Sequence, residues 1–392
     1  MTISLIMHGR RLAALCGAGV LLAAAVLAGA PALAEVAQPA LPAAVPARQY
    51  ILVDQANGRI LAAQDADRRA EPASITKLMT AMVVFRQIAA GRLRLDEPVT
   101  ISERAWRAVG SRTFVEVGKQ VPVEVLLKGM IVQSGNDAAI ALAEKVAGSE
   151  AAFAGLMNAE AARLGMKDSN FTNATGLPDP ELYSSARDIA LLSRALIGEF
   201  PDHYRWYSLR EFEWGGIRQP NRNGLLARDA GVDGIKTGHT SSAGYCLASS
   251  AERNGTRFVA VVLGSASPRI REEASLMLLE HGFRHYQTVR LRSSDEVILR
   301  PRVYKGMADQ VAVVPETDVA ITTLRDQTGA LRTVPTLERT LIAPIVAGQR
   351  VGELQVLDGD QVVARIPLVA QAAVGTGGLW ARIRDTILLW FR

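Results

Sequence analysis

Pro72-Ala73-Ser74-Ile75-Thr76-Lys77-Leu78-Met79-Thr80-Ala81-Met82-Val83-Val84-Phe85 is the stretch on which the reading of this chain turns. From Ser74 to about Ala90 the pattern is helical and mostly apolar, which places the helix inside a core. Ser74 and Lys77 stand at its start, three residues apart on one helix face, so hydroxyl and amine can meet. The helix N-terminus favours negative charge developing on the serine oxygen. Serine is a poor nucleophile until a base takes its proton. A lysine is that base only where burial or a nearby cation leaves it neutral. Alone, S-x-x-K is weak, because ordinary residue frequencies produce it about once in a chain this long. A capped helix with a surface lysine would account for it equally well.

Two further pieces shift the balance. Ser134-Gly135-Asn136, between helical segments, offers a hydroxyl and an amide together. Asp233-Gly234-Ile235-Lys236-Thr237-Gly238-His239-Thr240 precedes a strand-like run rich in small residues. A lysine on an edge strand beside a hydroxyl and a glycine can dock a carboxylate and an extended peptide backbone. Each triplet is a commonplace polar turn by itself. In this order, Ser134 lying 60 residues after Ser74 and Lys236 a further 102 on, the three are specific.

With these motifs the chain resembles the low-molecular-mass penicillin-binding proteins, serine-type D-Ala-D-Ala carboxypeptidases. Penicillin-binding proteins and class A β-lactamases carry S-x-x-K, S-D-N and K-T-G; Gly135 stands here where that pattern has Asp, and S-G-N is the usual carboxypeptidase form. Asn170–Pro178, Ser185-Ala186-Arg187-Asp188 and Asn221–Leu226 are similar to the family too, as are Ala343-Pro344-Ile345, Gly348-Gln349 and Val351-Gly352. The likeness runs from about residue 48 to the C-terminus.

The resemblance implies an α+β fold, a penicillin-binding/β-lactamase-like transpeptidase domain followed by a small all-β domain. It also implies removal of the terminal D-Ala from peptidoglycan stem pentapeptides through an acyl-enzyme. Acylation by β-lactams and a part in wall building, remodelling and cell shape go with it, and no metal or organic cofactor is implied. Carried over residue by residue, Ser74 is the acylated nucleophile and Lys77 its base. Ser134 relays a proton to the leaving amine, and Asn136 holds the substrate amide. Lys236 and Thr237 receive the terminal carboxylate, with Gly238 beside them. The backbone N–H groups of Ser74 and His239 form the oxyanion hole, without the His239 ring. A β-lactamase shares the motifs, but between Gly165 and Leu182 there is no E-x-x-L-N, only Asp168, Asp179 and Glu181. A non-catalytic penicillin-binding sensor or wall-binding protein is the other alternative, against which the intact Ser74, Lys77 and Lys236 speak.

Outward from the motifs, the two ends carry addresses. Arg10 and Arg11, an apolar run from Leu12 to about Ala30 and Ala32-Leu33-Ala34 make a cleavable secretory signal over residues 1–34. An uncleaved anchor is the alternative, and Leu15 before Cys16 disfavours lipidation. Cleavage leaves one cysteine, Cys246, so no internal disulfide forms, and ordinary packing buries it. A Pro/Ala-rich linker covers 35–47, the catalytic domain 48–288 and the β-rich domain 289–372.

Tyr50–Asp54 and Arg59–Ala63 flank Asn57-Gly58 as a hairpin. Helices are expected at Pro122–Val132, Asp137–Ala147, Glu150–Leu164, Ala186–Ile197 and about Ile270–His285. Short β-branched runs punctuated by prolines follow near Arg290, as in a small all-β module rather than a doubly wound sheet. His281 and His285, spaced i, i+4, could touch a metal but lack an H-E-x-x-H setting, and packing is the simpler expectation.

Over 377–392, Leu379, Trp380, Ile383, Ile387, Trp390 and Phe391 share one helical arc opposite Arg382, Asp385 and Arg392. That amphipathic helix is expected to lie on anionic lipid at the outer face of the inner membrane, on the periplasmic side, with Gly375–Gly378 as a flexible joint. The alternative is docking on the β module. Forty-four basic residues against 39 acidic ones, with no basic block, give no sign of a nucleic-acid partner.

Overall fold

A computed structural model describes residues 39–41, 43–325 and 331–391. The signal expected at 1–34 and the first residues of the linker lie outside them.

The Asn57-Gly58 turn closes an antiparallel hairpin, β1 (Gln49–Asp54) and β2 (Ile60–Gln64), with Val53 opposite Ile60. Three long strands join it: β3 (Val232–Thr240), β4 (Gly244–Arg253) and β5 (Thr256–Ser265). The sheet runs β2-β1-β5-β4-β3, and every neighbouring pair is antiparallel. Alternation along the strands decides what each face meets. Ile51, Val53, Val259 and Val261 enter the larger core, whereas Tyr50, Leu52, Phe258 and Val262 enter a second one.

The larger core is helical. It holds α1 (Lys77–Ala89), α2 (Val123–Val132), α3 (Asn136–Ala147), α4 (Glu150–Leu164) and α5 (Ala186–Glu199). α1 is buried from Lys77 through Phe85, as its apolar character requires. It is entered through a tight 3-10 turn, Ala73–Thr76, so Ser74 sits just ahead of the regular helix. The second core is covered by α6 (Pro268–His285), through Ala274, Leu278, Leu279 and Phe283. Val45 is buried there as well, so the end of the expected linker is packed rather than free.

Between α6 and Ala370 the regular elements among the described residues are all strands. β6 (Tyr286–Arg292) pairs with β8 (Val319–Leu324). β7 (Val313–Pro315), β9 (Leu331–Leu337), β10 (Arg350–Asp358) and β11 (Gln361–Ala370) form an antiparallel sheet in the order β7-β11-β10-β9. Among the β-branched runs after Arg290, Val297-Ile298-Leu299 forms an isolated bridge, from Leu299 to Val313, rather than a strand. The module meets the first hairpin through buried Asp54, whose Oδ2 accepts from Thr322 Oγ1 at 2.9 Å, and through Asn57 Nδ2, which donates to Ala320 O at 3.2 Å.

The last helix, α7 (Leu379–Trp390), changes two expectations. The Gly375–Gly378 joint is tied down: Thr376 bridges Gly306, Met307 N–H donates to Gly375 O at 2.9 Å, and Gly377 N–H donates to Lys305 O at 2.8 Å. Unpaired peptide groups beside a sheet edge find partners whatever the side chains are. Asp385, expected on the free polar side, is buried against the β module, while Trp380, Trp390 and Phe391 are each at least 80% exposed. Among the described residues no helix is long and apolar enough to cross a membrane.

Candidate active site

Lys77 is the centre of the cluster. It is 1% exposed, and its Nζ lies 3.1 Å from Ser74 Oγ, 2.7 Å from Asn136 Oδ1 and 2.6 Å from the carbonyl oxygen of Thr175. The helical i, i+3 spacing supplies the first contact, and the other two arrive from distant parts of the chain. Burial lowers the Lys77 pKa to about 7, with the Arg222 cation pushing the same way; Asp137 and Glu150 pull partly back. Both carboxylates are occupied elsewhere. Asp137 accepts from the N–H groups of Thr113 (2.7 Å), Phe114 (2.8 Å) and Val115 (3.3 Å), and Glu150 accepts from Arg104 and the N–H of Ala174.

Ser134 and Asn136 are delivered by the turn between α2 and α3. Ser134 has a left-handed backbone, φ +67°, and its Oγ is buried without a hydrogen-bond partner among the described residues. Asn136 opens α3 and donates from Nδ2 to Val109 O at 2.6 Å. Gly135 between them has a steric cause: a Cβ there would lie 2.0 Å from Thr113 Oγ1. The loop pinned by Asp137 thus presses on the S-G-N turn.

The Asn173–Leu177 loop presents the Thr175 carbonyl. Asn173 Oδ1 accepts from Thr175 N–H, Thr175 Oγ1 and Gly176 N–H, at 3.1, 2.9 and 2.7 Å. Gly176 has φ +79°, and a Cβ on it would fall 1.8 Å from the Ala73 carbonyl oxygen, so the loop seats directly on the Ser74 turn.

The third motif lies on the edge strand β3. Gly238 packs on Pro72 and Ala73, which brings the strand against the turn that carries Ser74. Lys236 and Thr237 are buried, and among the described residues Lys236 Nζ reaches only the Thr237 carbonyl, at 3.2 Å. Burial, reinforced by Lys77, Arg222 and Arg271, holds the Lys236 pKa well below the ordinary lysine value. Arg271 on α6 is itself buried beneath the strand, with Nη1 3.4 Å from Gly238 O. The His239 ring is exposed and stacks on Tyr245 at 4.0 Å. These cations favour an anionic ligand.

The structure therefore joins Ser74, Lys77 and Asn136 by hydrogen bonds, with Ser134 two residues before Asn136 in the turn ahead of α3 and the positive charge of Lys77 acting on Lys236. Sequence reading missed the Thr175 carbonyl, Asp137, Arg222 and Arg271. Asp137 follows S-G-N directly, and Thr175 and Arg222 lie within the family-like stretches Asn170–Pro178 and Asn221–Leu226, so those signals were available; Arg271 offered none. The remaining candidates lie elsewhere. Asp168 pairs with Arg69, and Asp179 caps an exposed turn at Glu181. Cys246 is fully buried, and His281 and His285 form a ring pair 4.9 Å apart.

The profile of the D-alanyl-D-alanine carboxypeptidase family matches residues 34–267. The chain belongs to that family. The profile of the penicillin-binding protein 5 C-terminal domain matches residues 286–376. D-alanyl-D-alanine carboxypeptidase DacA of Escherichia coli (strain K12) is 41% identical over 358 residues, 88% of each chain. DacC of the same organism is 40% identical over 356 residues, 88% of this chain and 89% of its own. Penicillin-binding protein 5 from Haemophilus influenzae superposes with a TM-score of 0.77 at 37% identity, covering 86% of this chain and all of its own. Penicillin-binding protein D2 from Listeria monocytogenes, solved in an ampicillin-bound form, matches 62% of this chain and all of its own at 32% identity and a TM-score of 0.57. At Gly135 the Thr113 contact leaves no room for a side chain.

Proposed function

We propose that this protein is a serine-type D-Ala-D-Ala carboxypeptidase that removes the terminal D-Ala of peptidoglycan stem pentapeptides through an ester on Ser74. One observation carries the reading: the three partners of buried Lys77 are Ser74 Oγ, Asn136 Oδ1 and Thr175 O. A neutral amine has two N–H groups and one lone pair. The two carbonyl oxygens take the N–H groups, which leaves the lone pair for the Ser74 hydroxyl.

In acylation the Ser74 proton passes to Lys77 as Oγ attacks the carbonyl carbon of the penultimate D-Ala. The N–H groups of Ser74 and His239 receive the oxyanion. The C–N bond then breaks, and the departing nitrogen takes the proton from Lys77 by way of Ser134, whose unpartnered Oγ supports this relay role. Water attacks the ester and restores the Ser74 hydroxyl. The second N–H of Asn136 Nδ2 is the one available to a substrate amide carbonyl. The terminal carboxylate docks on Lys236 and Thr237. A β-lactam carries the same carboxylate and an acylating amide, so it enters the same site and acylates Ser74. The exposed or paired acids between Gly165 and Leu182 offer no support for a β-lactamase.

Catalysis falls to 48–288 and the β module to 289–372, after a signal removed at Ala34. The outward apolar face of α7 supports attachment to the anionic surface of the inner membrane from the periplasmic side. Incubating the purified protein with diacyl-Lys-D-Ala-D-Ala should release free D-Ala. Penicillin labelling without any such release would leave the sensor reading standing. Sedimentation with anionic vesicles tests the attachment, and truncation after Val374 should abolish it while D-Ala release persists.

A further inference from the structure

α7 is fixed to the β module by its only acid. Asp385 accepts the backbone N–H of Lys305 at 2.6 Å and pairs with Arg302 at 3.4 Å and Arg384 at 2.9 Å. Held this way, the stripe Leu379, Arg382, Ile383, Thr386 and Ile387 stands opposite Lys305, and together they wall an open groove of about 320 Å³. The stripe follows the three-and-four spacing of a single helix face.

Among the described residues that wall the groove there are two cations and no acid. Asp385 is occupied by Arg302 and Arg384, and Asp309 by Arg384 as well. Among the described residues neither Lys305 nor Arg382 has a carboxylate within ion-pair distance, though both line the same cavity. Around them the walls are apolar: Leu379, Ile383 and Ile387 are 69%, 44% and 49% exposed. Two cations lining a groove with largely aliphatic walls match one chemistry closely, a phosphate diester joined to hydrocarbon.

We propose that this groove binds a single anionic phospholipid, Lys305 and Arg382 receiving its phosphate and Leu379, Ile383 and Ile387 its adjoining chains. The proposal rests on the membrane-surface reading of α7 and goes beyond it. General adsorption needs only an amphipathic helix, whereas this site needs the helix docked, because one cation comes from α7 and the other from the module.

The test measures binding of the protein to vesicles of phosphatidylcholine with and without phosphatidylglycerol. Lys305→Asn, which tolerates the left-handed backbone at that position (φ +58°), is combined with Arg382→Gln. A control, Arg68→Gln with Arg210→Gln, removes the same net charge from the catalytic domain. The groove variant should weaken binding to phosphatidylglycerol vesicles by roughly tenfold or more and leave binding to pure phosphatidylcholine and D-Ala release unchanged, while the control variant stays near the parent. Asp385→Ala should likewise lose the preference for phosphatidylglycerol. Equal losses in groove and control variants, or an unchanged preference in the groove variant, would overturn the proposal. So would displacement from vesicles by an equal concentration of inorganic phosphate, which would mark a soluble-phosphate site. A parent protein that binds neither vesicle would instead remove the membrane-surface reading.

Discussion

Lys77 in the cleft and Asp385 under α7 are each 1% exposed, yet the molecule treats the two charges in opposite ways. Asp385 is surrounded by donors, a backbone N–H and two guanidinium groups, and Arg384 above all holds its pKa below the ordinary carboxylate value. Lys77 has neutral oxygens for partners and a cation, Arg222, in its field. The acids that could have neutralised it are committed to other donors. A buried charge supplied with counter-charge becomes a fastening. A buried charge denied it is driven toward its neutral form, and a neutral lysine is a base.

The sharpest test of the reactive half is Ser74→Ala, which should abolish both penicillin labelling and D-Ala release with the melting temperature near the parent's. Labelling that persists would place the nucleophile elsewhere. Lys77→Met should follow, with acylation slower by about 10²–10⁴, the usual contribution of a positioned general base. Stopped-flow acylation by a penicillin measures it. In the parent, the neutral fraction of Lys77 grows as pH rises, so acylation should climb through about pH 7 and level off above it. A rate that falls as pH rises through 7 would mean that the protonated amine is the working form. The same shift has a stability consequence. Unfolded Lys77 keeps its proton up to about its ordinary value of 10.5, whereas folded Lys77 gives it up near 7, so stability should rise with pH across that window.

Lys236→Ala should slow acylation roughly ten- to a hundredfold, by loss of a charge-assisted carboxylate contact. An unchanged rate would mean that Arg222 or Arg271 holds the carboxylate. Gly176→Ala probes the seat of the Ser74 turn, since its methyl group would collide with the Ala73 carbonyl in a left-handed backbone. A stability loss of about 1–3 kcal/mol is expected by thermal unfolding, together with slower acylation. The smallest catalytic effect belongs to the fastening half. Asp385→Ala should leave D-Ala release unchanged and remove hydrogen-exchange protection from the Lys305 amide. A drop in activity there would tie the two halves together in a way their separate contacts give no reason to expect.

How much was legible differs between the halves for the same reason. The three motifs could be read because each is local: i, i+3 spacing on a helix, a polar turn, a lysine on an edge strand. The hairpin around Asn57-Gly58, the buried α1 and the proline-punctuated β module were likewise readable, since turn chemistry and periodicity are properties of neighbouring residues. At the C-terminus, periodicity sorted Leu379, Trp380 and Ile383 from Asp385, but not which side would meet protein.

By itself, then, the sequence determined the order of the motifs, the elements that carry them and the amphipathic character of α7. Only the tertiary structure decided that Thr175, 98 residues from Lys77, would give it a carbonyl partner, and that the Thr113 loop would admit only glycine at 135. Folding likewise turned Asp385 inward on Lys305, 80 residues away. A side chain's protonation and orientation depend on the dielectric and donors around it, and those are supplied by segments that local pattern cannot bring together.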